Sequence, residues 1–317
     1  AKGFILDFVS LTSNNTESFI PSHIINEISL IGTESYTEGG VPSLQPVPLA
    51  IFYEFFVNVF NFESSKDIYQ YRHLYNFIIF LLGLYFFFNL IHLRFKSYYY
   101  SFVGTLFLFL TPRFFAESFY NPQDIFFLSM TLANMFTGLN FLKNNNIKNT
   151  LAFSLTSALA IDTRIFGVIS VSIVLFLYLM KSFRTNKIVL KNLKSFLYFI
   201  FFTLFLVILF WPYLWADPLK NLLLAMTKLS SADYPVTSFY LGKFTLSTAV
   251  PWHYHIVWIG ITTPLIVLFL FLVGLFISSR RTISRLVNLD EKFNDVWRGD
   301  KEMFDIYFLL MIFLPIF

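Results

Sequence analysis

Long apolar runs separated by short polar breaks set the pattern of this chain. Runs without charge, or nearly so, fall at about 75–93, 98–112, 125–142, 149–161, 165–180, 195–213, 254–277 and 305–317. A run of about 18 apolar residues spans a hydrocarbon core of roughly 30 Å. Such a run must be helical, because no water is present there to satisfy the backbone. The stretches 98–112, 149–161 and 165–180 are short and fit as bundle members or as helices with interfacial ends. Two breaks are long, residues 1–74 and 211–253. Within the first, 42–62 is apolar, but Glu54, Asn58 and Asn61 recur at helical spacing. That stripe predicts a helix lying in the interface plane; the alternative is a span facing a polar bundle interior. The expected fold class is therefore an all-α integral membrane protein. It is a polytopic helical bundle over 75–317 with an outer loop at 211–253, preceded by a long first outer loop, 1–74, that holds interfacial helices.

Basic residues orient the bundle. With Arg94 and Lys96 on the cytoplasmic side, alternation puts three further groups with them: Lys143 and Lys148; Lys181, Arg184, Lys187, Lys191 and Lys194; and Arg280, Arg281, Arg285, Lys292, Arg298 and Lys301. These are fifteen of the 23 basic residues, whereas 13 of the 19 acidic residues fall on the other side. The bias follows the positive-inside rule at every loop. Composition agrees: 13% of residues are charged, against roughly 25% in a soluble domain. The 44 Phe and 17 Tyr read as the codon usage of an AT-rich genome rather than as ligand-binding boxes. With no Cys, disulfides and thiolate metal sites are excluded. A net charge of +4, placed as it is, gives no argument for nucleic acid. The chain begins at Ala1 and stops within the apolar run 308–317, so the expectation is a piece open at both ends, with an earlier span missing.

Candidate chemistry gathers on the acidic, Pro- and aromatic-rich side. The densest polar stretch is Thr111-Pro-Arg-Phe-Phe-Ala-Glu-Ser-Phe-Tyr-Asn-Pro-Gln-Asp124. It offers Arg113, Glu117, Asn121 and Asp124 at one membrane surface. Pro122 suits the first turn of the next helix, which places Asp124 at the positive end of the helix dipole. An acid held ionised there can accept a proton, bind a metal or orient a partner. The structural alternative is helix capping with an Arg113–Glu117 ion pair. In Asp162-Thr-Arg164, ionisable groups interrupt apolar sequence, a costly arrangement that marks functional sites. Arg164 can clamp a phosphate, since a guanidinium fork matches phosphate oxygens; alternatively Asp162 and Arg164 pair with each other at a tight outside turn.

Trp211, Tyr213 and Trp215 read first as an interfacial aromatic belt, a role compatible with stacking on a sugar. His253 and His255 would point roughly 200° apart on a helix, which argues for anchoring at the headgroups rather than a shared metal. Any of Asp7, Glu17, Glu27, Glu34, Glu38 and Glu54 in the first loop could serve as a general base, and spacing does not choose among them. No Gly-rich phosphate loop, HExxH or GxSxG is present.

The order of these pieces resembles the polyprenyl-phosphate-dependent glycosyltransferases of the GT-C superfamily, in the family 39, protein mannosyltransferase-like and aminoarabinose-transferase-like branch. The pieces are Tyr71-Arg-His-Leu-Tyr-Asn76, Pro112 to Asp124, Asp162-Thr-Arg-Ile-Phe-Gly167, Trp211-Pro-Tyr-Leu-Trp-Ala-Asp-Pro218, and Pro251-Trp-His-Tyr254 with Trp258, Thr263, Pro264 and Gly274. They cover about 70–274 in the expected order. The resemblance implies an inverting transfer, on the outer face, of a sugar from a polyprenyl-phosphate donor to a lipid, glycan or protein acceptor. It places a second-loop acid at Asp124 and first-loop acids at Asp7 and Glu38, the catalytic set. Substrate-binding roles would fall to Arg113, Arg164, Asp162, Glu117, Asn121, Trp215 and His253. Members of the family often read Asn-Ser-Lys-Asp where this chain reads Asn121-Pro-Gln-Asp124, which removes a phosphate contact. No cofactor is fixed by the resemblance; a divalent metal is compatible with it. The expected location is a bacterial inner membrane, multi-pass, with the active site facing outward. The rival expectations are a secondary transporter or lipid flippase, disfavoured because ionisable residues gather in outer loops rather than mid-span, and a catalytically inactive relative.

Overall fold

A computed structural model describes residues 65–184, 190–230, 237–287 and 297–315, together with Val59. The first-loop candidates Asp7 and Glu38, and nearly all of the proposed interfacial segment 42–62, lie outside the described residues. Eleven α-helices are described: α1 (Ser65–Phe95), α2 (Tyr98–Leu110), α3 (Pro112–Tyr120), α4 (Pro122–Lys143), α5 (Ile147–Thr163), α6 (Gly167–Arg184), α7 (Leu190–Phe210), α8 (Pro218–Ser230), α9 (Tyr254–Thr262), α10 (Leu265–Val287) and α11 (Asp300–Phe313). Four helices, α1, α4, α7 and α10, are long and apolar enough to cross a membrane, or five spans if α2 and α3 count as one bent crossing. The protein is thus a helical bundle of membrane-protein character, with shorter helices packed among the long ones.

Prolines end one expected run and break another. The run 98–112 ends where the chain bends by 67° from α2 into α3, with Thr111 in an extended conformation before Pro112, as is favoured ahead of a proline. The run 254–277 divides into α9 and α10 at Thr263-Pro264 for the same reason. The outer stretch read as irregular holds an antiparallel hairpin, β1 (Thr237–Tyr240) with β2 (Lys243–Leu246). Leu241 and Gly242 turn it with positive φ.

The core lies on α4, which is buried along much of its length, and it packs against α1, α5 and α6. Gly83 permits close approach of α1: a Cβ there would fall 2.5 Å from Ser129 Oγ. Phe141, Phe153, Tyr178 and Phe199, one from each of α4 to α7, stack with centroids 4.6–5.8 Å apart. In contrast α10 buries none of its residues. Trp211 also enters the core, 1% exposed, which corrects its assignment to an aromatic belt; Trp215 is the exposed member of that motif.

A polar network crosses this core. Asn134 Nδ2 on α4 donates to Ser157 Oγ on α5 at 2.9 Å, and Asn134 Oδ1 accepts from Ser170 Oγ on α6 at 2.8 Å. Beside it, Thr137 and Thr156 share a hydrogen bond of 2.7 Å. One amide therefore fixes two neighbouring helices, the use that polar side chains find inside membrane bundles.

Distinct contacts tie each end of the bundle. At one end Asn76 Nδ2 donates to Phe119 O at 3.2 Å, joining α1 to the α3–α4 junction. At the other, Asp305 on α11 is 3% exposed and accepts from Arg94 Nη2 at 2.7 Å and Arg281 Nη1 at 2.5 Å. Lys143 pairs with Asp300 there at 3.3 Å. The segments assigned to opposite sides by Lys and Arg counting thus meet at opposite ends.

Asn134→Leu keeps the branched side-chain shape but strands the Ser157 hydroxyl and leaves Ser170 only its bond to Gly167 O, at about 1–2 kcal/mol of lost stability. Thermal unfolding of purified protein in detergent should fall in temperature, whereas a polar loss at the exposed Asp300 should leave it nearly unchanged.

Candidate functional site

The site is built on two helix junctions. At the first, Asn121 ends α3 and caps α4, accepting from the Asp124 backbone N–H through Oδ1 at 3.1 Å. Pro122 follows as the first helical residue, where its missing N–H costs nothing, and Asp124 sits in the first turn. The Asn121 amide nitrogen donates to both Glu117 Oε2, at 2.9 Å, and Asp124 Oδ2, at 3.0 Å. One neutral amide thus holds two carboxylates side by side at the positive end of α4. The helix α3 that carries Glu117 is fastened by Phe115 and Phe119, which pack on each other and on Phe77 of α1.

At the second junction, α5 ends at Thr163 and Arg164 turns extended. Gly167 then starts α6 so close to the last turn of α5 that a Cβ would fall 2.6 Å from the Ala160 carbonyl carbon. Only glycine allows that approach. The tight return aims Arg164 across to α4, where its Nη2 pairs with Asp124 Oδ1. Both partners are open to solvent, at 37% and 54% exposed, so the pair contributes at most about 1 kcal/mol of stability. Its value is positional: residues 40 apart in sequence present a guanidinium and a carboxylate together.

Asp162 lies two residues before Arg164 and does not pair with it. Its residue is 2% exposed, and both carboxyl oxygens lack a hydrogen-bond partner among the described residues. Burying such a group without a partner is costly. The alternative Arg113–Glu117 ion pair is also not formed: Glu117 faces Asn121, and Arg113 is exposed with no ion-pair partner among the described residues. The geometric reason is that Asn121, four residues on from Glu117, reaches its carboxylate first.

Two other candidates make their bonds elsewhere. Trp215 Nε1 donates to Ile208 O at 2.7 Å, folding the indole back over the end of α7. His253 Nδ1 meets Tyr240 Oη at 2.6 Å, tying the hairpin to the start of α9. Asn121, Asp124 and Arg164 are brought together, with Glu117 attached; Trp215 and His253 are not joined to them by any described hydrogen bond. Among the described residues no three His, Asp or Glu side chains converge as a metal set. Sequence reasoning missed two positioning groups, Gly167 and Asn134. The signal for Gly167 was a glycine three residues after a charged turn; the polar faces of α4 and α5 at i and i+3 spacing carried the signal for Asn134.

The chain matches no family model, and comparison with curated proteins and with solved structures yields no match.

Asn121→Ala removes the α4 cap and the amide between the two carboxylates, and should cost about 1 kcal/mol. Melting of the purified protein should shift down, and addition of salt, which screens the Glu117–Asp124 repulsion, should recover part of the loss.

Proposed function

We propose that the protein is a membrane glycosyltransferase that moves a sugar from a polyprenyl-phosphate donor to an acceptor on the non-cytoplasmic face. The observation that carries this reading is the Asp124–Arg164 pair, which sets a base beside a phosphate-binding cation at one end of an apolar bundle. The ordered motifs from residue 71 to 274 that resemble the GT-C enzymes add to it.

Chemically, the pair suits an exchange. A donor phosphate competes with Asp124 for the Arg164 guanidinium, whose planar fork fits phosphate oxygens. Once Arg164 turns to the phosphate, the Asp124 carboxylate is released and can take the proton of the acceptor hydroxyl. The acceptor oxygen attacks the anomeric carbon from the face opposite the leaving group, and the bond from that carbon to the phosphate oxygen breaks. Its electron pair departs on the lipid phosphate, where Arg164 balances the charge, with Arg113 of α3 as a second candidate cation. Asn121 holds Asp124 in place throughout, and Glu117 keeps the amide turned. Asp7 and Glu38 remain candidates for a second acid from the first loop. The sugar could stack on exposed Trp215, and His253 would contribute a hydrogen bond. The apolar helix faces give the polyprenyl tail a surface to lie along. A bacterial inner membrane with this end outward is the location the reading implies.

A second reading, a secondary transporter or lipid flippase, draws support from one observation, the partnerless Asp162 buried at the end of α5. Buried ionisable residues are a mark of coupled transport. The readings separate by assay: a transporter or flippase moves lipid across proteoliposomes with no acceptor present, whereas the transferase forms glycosylated product from a supplied donor.

Asp124→Asn should abolish transfer of label from polyprenyl-phosphate sugars in membranes, with unchanged yield of protein; full activity in that variant overturns the role. Arg164→Ala should raise the KM for donor about tenfold or more, the loss of one charge-assisted contact, and leave the acceptor KM within about twofold. An unchanged donor KM counts against the phosphate clamp.

A further inference from the structure

The hairpin of β1 and β2 is lined differently on its two faces. Side chains alternate across a strand, and the register pairs Phe239 with Phe244 and Tyr240 with Lys243. Tyr240 belongs to the inner face. It is 6% exposed, bonds to His253 and packs on Tyr254, which ties the hairpin to the start of α9. Phe239 and Phe244 belong to the outer face. Their ring centroids lie 5.2 Å apart, yet Phe244 is 79% exposed, and Leu246 beyond it and Leu241 at the turn are exposed as well. An apolar outward face is the reverse of the pattern that water favours on an antiparallel pair, and two strands alone are marginal in water.

The course of the chain indicates what covers that face. From Leu246 it runs through Trp252, which is exposed, into α9, where Ile256 and Ile259 are exposed too. It continues into α10, which is long enough to cross a membrane and buries none of its residues. In a membrane, lipid covers α10, and the exposed apolar series reaches from there back to the hairpin. No carboxylate occurs between residues 237 and 264, and Lys243 is the one lysine or arginine in that stretch. Earlier in the same outer region, α8 exposes Leu219, Leu223 and Met226 at i, i+4 and i+7, the pattern of a helix lying in the interface. Because α10 joins the Asp305 cluster through Arg281, near its C-terminal end, the hairpin ahead of its N-terminal end belongs to the opposite side of the membrane.

We propose that the hairpin rests on that leaflet, with Phe239, Leu241 and Phe244 set into the boundary between headgroups and acyl chains. The outer edges of the two strands carry backbone groups that need water, so the hairpin stays at the interface and does not enter the hydrocarbon. Lys243, on the other face, keeps its ammonium among the headgroups or in water. Lipid is the occupant, rather than a protein, because the apolar series begins on a membrane-spanning helix. The membrane then holds the hairpin, and the hairpin holds His253 through Tyr240. This placement does not depend on the reading given to the Asp124–Arg164 pair.

The chain has no Cys, so a single introduced cysteine reports on its own position alone. The full chain carrying Phe244→Cys or Lys243→Cys is labelled with nitrobenzoxadiazole and placed in phosphatidylcholine liposomes with iodide on both sides. At position 244 the label should be shielded from iodide and quenched by nitroxide-bearing phosphatidylcholine. A nitroxide beside the headgroup should quench it about twofold or more better than one at the chain end, as a depth of about 5–10 Å requires. At position 243 the label should stay open to iodide. Free access of iodide at 244 leaves the face in water and overturns the proposal. Shielding from iodide without quenching by either lipid means that protein covers the face, whether residues 1–58, a second copy or a partner, and overturns it too. Stronger quenching by the deep nitroxide, or equal quenching at both positions, overturns the depth and the facing proposed. An unchanged melting temperature shows that a variant is folded, and Leu241→Cys repeats the measurement if the Phe244 variant is not.

Discussion

Inside an apolar bundle a polar side chain must find its partner within the protein, and here that constraint falls on Asn134. Its amide has no water to turn to. It is satisfied by Ser157 on α5 and Ser170 on α6, the two helices that flank the turn bearing Asp162 and Arg164. The turn therefore cannot drift relative to α4 without breaking buried hydrogen bonds. Because Asp124 begins α4, the same amide fixes both ends of the Asp124–Arg164 pair. A solvent-exposed ion pair is weak on its own; it is held in register by a network that is not exposed at all.

The same logic explains what the sequence made legible. Absence of charge over lengths that match a bilayer marked α1, α4, α7 and α10, because that signal is additive along the chain. Asn121-Pro122 announced a capped helix start, and the structure places Asp124 in the first turn as the local chemistry requires. Proline marked the end of the run 98–112, whereas at 264 hydropathy alone ran through the break, since an apolar run stays apolar across a bend. The partners of Arg164 and Glu117 were not legible. Local spacing offered Asp162 and Arg113 as alternatives, and the partner of Arg164 depended on the approach of α6 to the end of α5 at Gly167, a tertiary fact. Trp211 misled for a similar reason, because an aromatic near a span end may face lipid or core, and only packing decides.

The two ends of the bundle use arginine differently. Arg164 is shared with an exposed carboxylate that a phosphate could replace, so it is poised for exchange. Arg94 and Arg281 close on Asp305, which is 3% exposed, and serve as a fixed clasp between the first and last described helices. Truncating one partner of such a buried cluster is far more damaging than losing an exposed pair, because the remaining charges stay desolvated.

The clasp has a consequence for biogenesis. Arg94 and Asp305 are 211 residues apart, and translation at about 5–20 residues per second leaves roughly 10–40 s between their synthesis. During that interval the Arg94 guanidinium waits without Asp305, its buried partner in the finished bundle. Assembly of the bundle is thus necessarily late at this end, and it is completed by the helix that emerges from the ribosome after all the others described.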